Sequence, residues 1–396
     1  MIYIHFPFCR SFCTYCDFYS VRERGRMKQY KEALLREIDA RRAFLMCCTE
    51  PSTLYIGGGT PSLCPVEWLS EVVSALRAAV GEFEELTVEV NPDDVTREYA
   101  LGLRGIGVNR VSMGVQSFSD TSLMWMARRH SASRACEAYK VLREAGFDNV
   151  SLDLIFGYDP ARWGSSPTAA DVLMRLWRED LEEMLRLRPE HISAYQMGVE
   201  DGSVLGEKAL AGLYHEPADE ICAAQYALLQ KLLSDAGYEQ YEVSNFALPG
   251  RRALHNSGYW ERLPYIGLGP GSHSFDGDRR RSWNVPDVDI YVRYWLPEAL
   301  QRAEHRGSAE AGDCASDIHA VSGCETLTDE DVLVEKVMLG LRRTSGLLLS
   351  DVPELNHETV GRLVSSGSLI EDGGRIRIPS SKLFISDSVI RDLISL

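Results

Sequence analysis

The chain has 396 residues, 45% hydrophobic and 25% charged, an ordinary globular composition with enough length for one large catalytic domain and a smaller one. Its 58 acidic and 42 basic side chains leave a formal net charge of −16, which argues against the basic stripe of a nucleic-acid surface and against broad adhesion to anionic lipid. No apolar run reaches the ~18 residues of a membrane span, and the first residues carry no basic leader, so the expectation is a cytoplasmic protein with no transmembrane segment.

Ile2-Tyr3-Ile4-His5-Phe6 reads as the first strand, and directly behind it Cys9, Cys13 and Cys16 are spaced C-x3-C-x2-C. Three thiolates can hold three irons of a cubane cluster, one ligand short of complete ligation, and the open metal position is a place for a ligand. The plainer readings are a zinc knuckle or three unrelated buried thiols. Zinc wants a fourth Cys or His at ligand spacing, and none follows closely. The remaining cysteines, at positions 47, 48, 64, 136, 222, 314 and 324, show no framework spacing, as expected for a chain in a reducing compartment.

Further strands are predicted at 53–57, 86–91, 109–116, 149–156 and 190–196, with helices at 27–45, 65–80, 96–104, 119–145 and 169–187. In the first helix Met27, Tyr30, Leu34, Ile38 and Leu45 recur on one face. Alternating strands and helices predict an α/β fold built on a parallel sheet with right-handed crossovers, open or curled into a barrel. Three strands carry an aliphatic phase and a polar phase, and the polar one places Glu89, Gln116 and Asp153 on one face near the C-terminal strand ends. A closed eight-stranded barrel fills its interior with branched aliphatics; this polar phase points instead to a partial (β/α) TIM-like barrel with a ligand in its mouth. A half-exposed antiparallel sheet is the alternative, and the intervening helices disfavour it.

Gly57-Gly58-Gly59-Thr60-Pro61 follows the second strand, where glycines let backbone approach a ligand closely, although a tight strand-to-helix turn explains them equally well. A loop of turn-formers spans 157–170, a helix 217–237 and a strand 241–246. His255-Asn256-Ser257-Gly258-Tyr259-Trp260 and a second glycine-rich loop at 265–274 come next. Residues 303–327 read as a linker. Beyond it a helix beginning near Val332, a shorter helix and a hairpin around Asp372-Gly373-Gly374 predict a small winged-helix-like α+β domain. The expected organisation is a barrel over 1–235, an extension over 236–302, the linker, and the small domain over 328–396.

The three cysteines, the Gly-Gly-Gly-Thr-Pro loop and the strand Ser112-Met113-Gly114-Val115-Gln116-Ser117-Phe118 resemble the radical S-adenosylmethionine superfamily. Within it the chain resembles the coproporphyrinogen III dehydrogenase group, HemN, and the related heme chaperones, HemW. The resemblance implies a 4Fe–4S cluster on Cys9, Cys13 and Cys16, chelated at its open iron by S-adenosylmethionine. It implies that Gly58, Gly59, Thr60, Glu89, Gln116, Arg128 and Asp153 contact that cofactor, with Tyr3 and Ile155 nearby. Arg129 adjoins Arg128, and either guanidinium can be the one that faces inward.

Two features separate the branches. The dehydrogenases carry one more cysteine two residues past the third, where this chain has Phe18, and the chaperones share the Cys-Asp-Phe form. His255, Asn256, Tyr259 and Trp260 resemble the chaperones' heme-binding motif; on residue chemistry alone they read as a packed structural cluster. The resemblance therefore implies a heme chaperone that hands heme to acceptor proteins, membrane respiratory enzymes among them. Its rivals are oxidative decarboxylation of coproporphyrinogen III to protoporphyrinogen IX, and electron transfer by the cluster alone. The loop at 157–170 and the linker at 303–327 depart from the family pattern.

Overall fold

The computed structural model describes residues 1–47, 50–160, 167–297 and 322–394. Strands and helices alternate through the first half: β1 (Ile2–Phe6), α1 (Met27–Ala40), α2 (Arg42–Leu45), β2 (Thr53–Gly58), α3 (Val66–Val80), β3 (Glu85–Val90), α4 (Arg97–Gly105), β4 (Arg110–Gln116), α5 (Asp120–Trp125), α6 (Ala132–Glu144), β5 (Val150–Phe156), α7 (Pro167–Leu187) and β6 (His191–Gln196). Then come α8 (Val204–Leu210), α9 (Asp219–Asp235), β7 (Glu239–Gln240), β8 (Asn245–Ala247), α10 (Leu254–Trp260), β9 (Ile266–Leu268), β10 (His273–Phe275), β11 (Arg280–Asn284), α11 (Val288–Trp295) and β12 (Ser322–Thr326). The contacts group the chain into two compact units.

The first unit takes Met1–Phe12, Phe18–Val111 and Leu263–Thr326. Its strands run in the order β3-β2-β1-β9, with β1 parallel to both β2 and β9 and β2 parallel to β3. Ile2, Ile4, Leu54, Ile56, Leu86 and Val88 are buried with Tyr30, Leu34 and Ile38 of α1 and Leu69, Val72 and Leu76 of α3. Each such side chain contributes about 1.5–3 kcal/mol by leaving water. The helix predicted over 27–45 breaks at Arg41, whose guanidinium is committed to Glu37, to the Gly267 carbonyl at 2.8 Å and to Ser274 Oγ at 2.9 Å.

Part of the expected linker is a strand. Ser322–Thr326 pairs antiparallel with β11, and Arg281 sits opposite Glu325, an opposite-charge cross-strand pair that supports the register. The low periodicity of that stretch hid the pairing. The remainder, 303–321, is outside the described residues.

The second unit takes Cys13–Asp17, Ser112–Arg262 and Leu327–Leu396. Its strands run β7-β8-β6-β5-β4, with β5 parallel to β6 and β8 antiparallel to both neighbours. The single helix predicted over 119–145 is two: Ala127 takes a positive φ of 58°, and Ser131 restarts the helix by accepting from Arg134 N–H. The strand predicted at 241–246 begins only at Asn245, because the buried Glu242 carboxylate accepts from Ser244 N–H and from the Asn245 amide and folds those residues into a turn.

At the C-terminus the helices Asp329–Leu341, His357–Ser365 and Ser386–Ile394 accompany a three-stranded antiparallel sheet of Leu347–Leu348, Arg375–Arg377 and Ile370–Asp372, the small α+β arrangement that was expected. Within the unit, Arg262 pairs with Glu335 at 3.1 Å, and the Phe384 and Tyr226 rings lie 5.5 Å apart. Among the described residues no helix is long and apolar enough to cross a membrane.

Candidate functional site

In the first unit the ends of β1, β2 and β3 carry five of the predicted residues. Cys9 is held by its N–H to the Val21 carbonyl at 2.9 Å, and its sulfur lies 3.5 Å from the Thr60 hydroxyl. Gly59 packs its backbone against this turn: a Cβ there would lie 2.8 Å from the Phe8 carbonyl oxygen and 3.1 Å from Cys9 Sγ. Glycine at 59 is therefore a requirement of close approach. Gly58 adopts a φ of 106°, and its amide donates to Glu89 Oε2 at 3.2 Å. The Tyr55 hydroxyl donates to the other carboxylate oxygen at 2.7 Å. Glu89 is thus fixed over the glycine loop with its charge partly satisfied by neutral donors.

Tyr3 stands beside this group. Its hydroxyl lies 3.1 Å from His5 Nδ1, while His5 Nε2 lies 2.8 Å from the Tyr19 carbonyl oxygen. The carbonyl can only accept, so Nε2 carries the proton and Nδ1 accepts from Tyr3. Burial and the nearby Glu89 charge push the Tyr3 phenol far up, and burial pulls the His5 imidazole down, so both stay neutral.

The second unit holds the other two cysteines. Cys13 and Cys16 form a turn in which Cys16 N–H meets the Cys13 carbonyl at 3.4 Å. Thr14 clamps the turn: its N–H donates to the Met126 carbonyl at 3.1 Å, and its own carbonyl accepts from Leu205 N–H at 2.7 Å. Arg128 answers the question of which arginine faces inward. It donates to Cys13 Sγ at 3.3 Å and to the Gly114 carbonyl at 2.7 Å. Burial works to lower its pKa, but the Tyr15 hydroxyl and Cys13 outweigh that and hold the guanidinium above its usual range.

Gln116 takes a positive φ of 70°, which turns its side chain over Gly114. A Cβ at 114 would lie 2.7 Å from the Gln116 amide nitrogen and 3.2 Å from an Arg128 nitrogen. Behind the turn, Asp180 accepts from Phe118 N–H at 2.6 Å and from Ser117 Oγ. Asp153 accepts from Ser112 Oγ at 3.3 Å and from Ser151 Oγ at 3.5 Å. Ile155 is buried with Met126, Tyr158, Met197, Leu205 and Tyr214, with Tyr15 packed against them.

The predicted motif at 255–260 forms the seven-residue helix α10. His255 is 2% exposed, and its Nε2 meets the Tyr259 hydroxyl at 3.0 Å with the rings edge-on. Asn256 donates to the Tyr241 hydroxyl at 3.4 Å. Its partners missed by sequence reasoning are Tyr241, His191 and Ser151, which no local spacing marks as related; nor does spacing mark Tyr55, His5 or Ser112.

The described cysteines, including Cys9, Cys13 and Cys16, form no disulfide. The described residues hold no ready cluster of His, Cys, Asp and Glu for a single metal ion; a cubane takes each thiolate on a different iron, so single-ion geometry is not its signature. Among the described residues, the buried donors without a hydrogen-bond partner include Arg128 Nε and the indole Nε1 of Trp260. Unsatisfied buried donors are costly and suit a ligand carboxylate. The residues therefore fit the groups that the resemblance implies.

Residues 3–161 match the Radical SAM superfamily profile. The heme chaperone HemW of Mycobacterium tuberculosis (strain H37Rv) is 31% identical over 399 residues, covering 99% of this chain and 94% of that protein. HemW of Synechocystis is 32% identical, covering 92% of this chain and 83% of its own. The mitochondrial radical S-adenosyl methionine domain-containing protein 1 of Bos taurus is 33% identical, covering 100% and 87%. Among solved structures, coproporphyrinogen III oxidase HemN from Escherichia coli superposes with a TM-score of 0.74 at 19% identity, covering 100% of this chain and 89% of that one. The fold is accordingly the α/β fold of the radical SAM type.

Proposed function

Because the chain belongs to the HemW family of radical S-adenosylmethionine proteins, we propose that it is a heme chaperone that binds heme and transfers it to acceptor proteins. Cys9, Cys13 and Cys16 would hold a 4Fe–4S cluster, whose chemistry is an iron with an open coordination position. Gly58, Gly59, Thr60, Glu89, Gln116, Arg128 and Asp153, with Tyr3 and Ile155, would hold S-adenosylmethionine. Glu89 suits an ammonium or a ribose hydroxyl, Asp153 a ribose diol, and Arg128 a carboxylate through its free Nε. His255, Asn256, Tyr259 and Trp260 would receive heme. A cytoplasmic location and membrane respiratory enzymes as acceptors complete the reading.

The observation that carries the proposal is the match to HemW over nearly the whole chain. Two local features support it. Phe18, 68% exposed, occupies the position where the dehydrogenases have a further cysteine. The indole N–H of Trp260 is a buried donor awaiting an acceptor, which a heme propionate can supply. Tyr259 must release His255 Nε2 before that nitrogen can face an iron.

Hemin titration of the cluster-reconstituted protein tests the reading. Wild type is expected to give a saturable Soret shift, and His255→Ala a shift altered in position and at least about tenfold weaker, about 1.4 kcal/mol. An unchanged titration removes His255 as the ligand. Conversion of coproporphyrinogen III to protoporphyrinogen IX by the anaerobic, reduced protein would replace the chaperone reading with the enzymatic one.

A further inference from the structure

Asp153 and Asn256 are joined by a continuous chain of hydrogen bonds through the core of the second unit. The Ser151 hydroxyl lies 3.5 Å from Asp153 Oδ1 and 2.8 Å from His191 Nδ1. His191 Nε2 lies 2.8 Å from the Tyr241 hydroxyl, which accepts from Asn256 Nδ2 at 3.4 Å. Ser151, His191 and Tyr241 are all buried.

The chemistry at the ends sets the direction. An ionised Asp153 only accepts, so Ser151 donates to it, and the Ser151 oxygen then accepts from His191 Nδ1–H. A neutral imidazole with its proton on Nδ1 accepts at Nε2, so the Tyr241 hydroxyl donates there and its oxygen is left to accept from Asn256. One reversed arrangement exists with the same number of protons. The imidazole proton sits on Nε2, Ser151 donates to Nδ1, and Tyr241 donates to an Asn256 amide turned to present its carbonyl. The chain is therefore a two-state element, and each end favours one state by what it demands.

We infer that Ser151, His191 and Tyr241 are positioning residues that couple occupancy of the S-adenosylmethionine site at Asp153 to heme binding on α10 at Asn256. The inference rests on the proposed function and adds regulation to it. Ribose hydroxyls that donate to Asp153 compete with Ser151 for its oxygens, which frees Ser151 to turn toward His191 and makes the reversed arrangement accessible. Asn256 then re-aims its amide, one residue from His255 and on the helix that carries Tyr259 and Trp260. Distance alone would not establish coupling; the physical warrant is the pair of discrete arrangements biased from both ends.

The test is a double titration of the cluster-reconstituted protein: hemin, followed by its Soret band, with and without saturating S-adenosylmethionine, and the cofactor, followed by calorimetry, with and without hemin. In wild type the two dissociation constants are expected to shift by one common factor of at least about threefold, since binding linkage is reciprocal. Tyr241→Phe keeps the ring and removes the hydroxyl; Ser151→Ala breaks the chain at its other end. Each is expected to bring the factor to about one while hemin affinity without the cofactor stays within about twofold. Two variants at separate links keep the test open if one fails to fold. A factor near one in wild type, or a wild-type factor retained in both variants, overturns the inference while the chaperone reading stands. Absence of any Soret shift in wild type overturns both.

Discussion

Glu89 is a carboxylate near the end of β3 and Asp180 one on α7, and burial treats them differently. Glu89 receives a phenol and a backbone N–H in a half-buried setting. Asp180 lies deep behind the Gln116 turn, and burial pushes its pKa up from 3.8 to about 7, against the pull of its bonds from Phe118 and Ser117. The native state therefore holds a proton that the unfolded chain gives up, so this group's contribution to stability falls as pH rises from about 4 to about 7 and is level above. Asp180→Asn keeps a carbonyl for Phe118 N–H and removes the ionisation. Thermal midpoints measured from about pH 5 to about pH 8 are expected to favour the variant increasingly over wild type as pH rises through that window. A difference independent of pH would show that Asp180 is already ionised when the pH is low. At this scale the sequence displayed the residue types and their spacing. Cys9, Cys13 and Cys16 were legible because their spacing is local in the chain; Tyr55, Ser112 and His191 were not, because hydrogen bonds bring them in from other strands.

At the scale of elements, α1 is held to the loop after β9, to β11 and to α11 by one buried carboxylate. Glu37 accepts from Gly269 N–H at 2.8 Å, Asn284 Nδ2 at 2.8 Å and the Tyr291 hydroxyl at 2.6 Å, and pairs with Arg41 at 3.3 Å. Glu37→Ala strands these donors and leaves Arg41 without its carboxylate, an expected loss of about 3–5 kcal/mol in urea unfolding. Glu37→Gln, which keeps one carbonyl oxygen, is expected to lose less. Equal losses would show that the charge, not the hydrogen bonding, matters. Periodicity found α1 because its apolar face repeats, but it ran past Arg41, where a bond to the Gly267 carbonyl ends the helix. It likewise joined α5 to α6, since the positive φ of Ala127 leaves no mark in an apolar pattern.

On the scale of the whole molecule, the small C-terminal α+β segment belongs to the same compact unit as Ser112–Arg262. Glu335 and Phe384 meet Arg262 and Tyr226 there. Ending the chain at residue 326 would expose Tyr226 and leave Arg262 without its partner, so the shortened protein is expected to bind 1-anilinonaphthalene-8-sulfonate and to unfold at a lower temperature than the full chain. A truncated protein with the full chain's midpoint would mean that the segment is a separable module.

The sequence by itself determined the order of strands and helices, the cysteine spacing, the glycine loop and the polar strand phase, because each is set by residues close together in the chain. The family could be read from those same signals. Only the tertiary structure decided that Arg128 turns to Cys13, that Ser322–Thr326 completes a sheet, and that Asp153 reaches Asn256 through Ser151, His191 and Tyr241. Arg128 and Cys13 are 115 positions apart, His191 and Tyr241 50, and Ser151 and His191 40, while β11 and β12 pair across a long excursion of chain; burial and hydrogen-bond satisfaction, not local pattern, select these contacts.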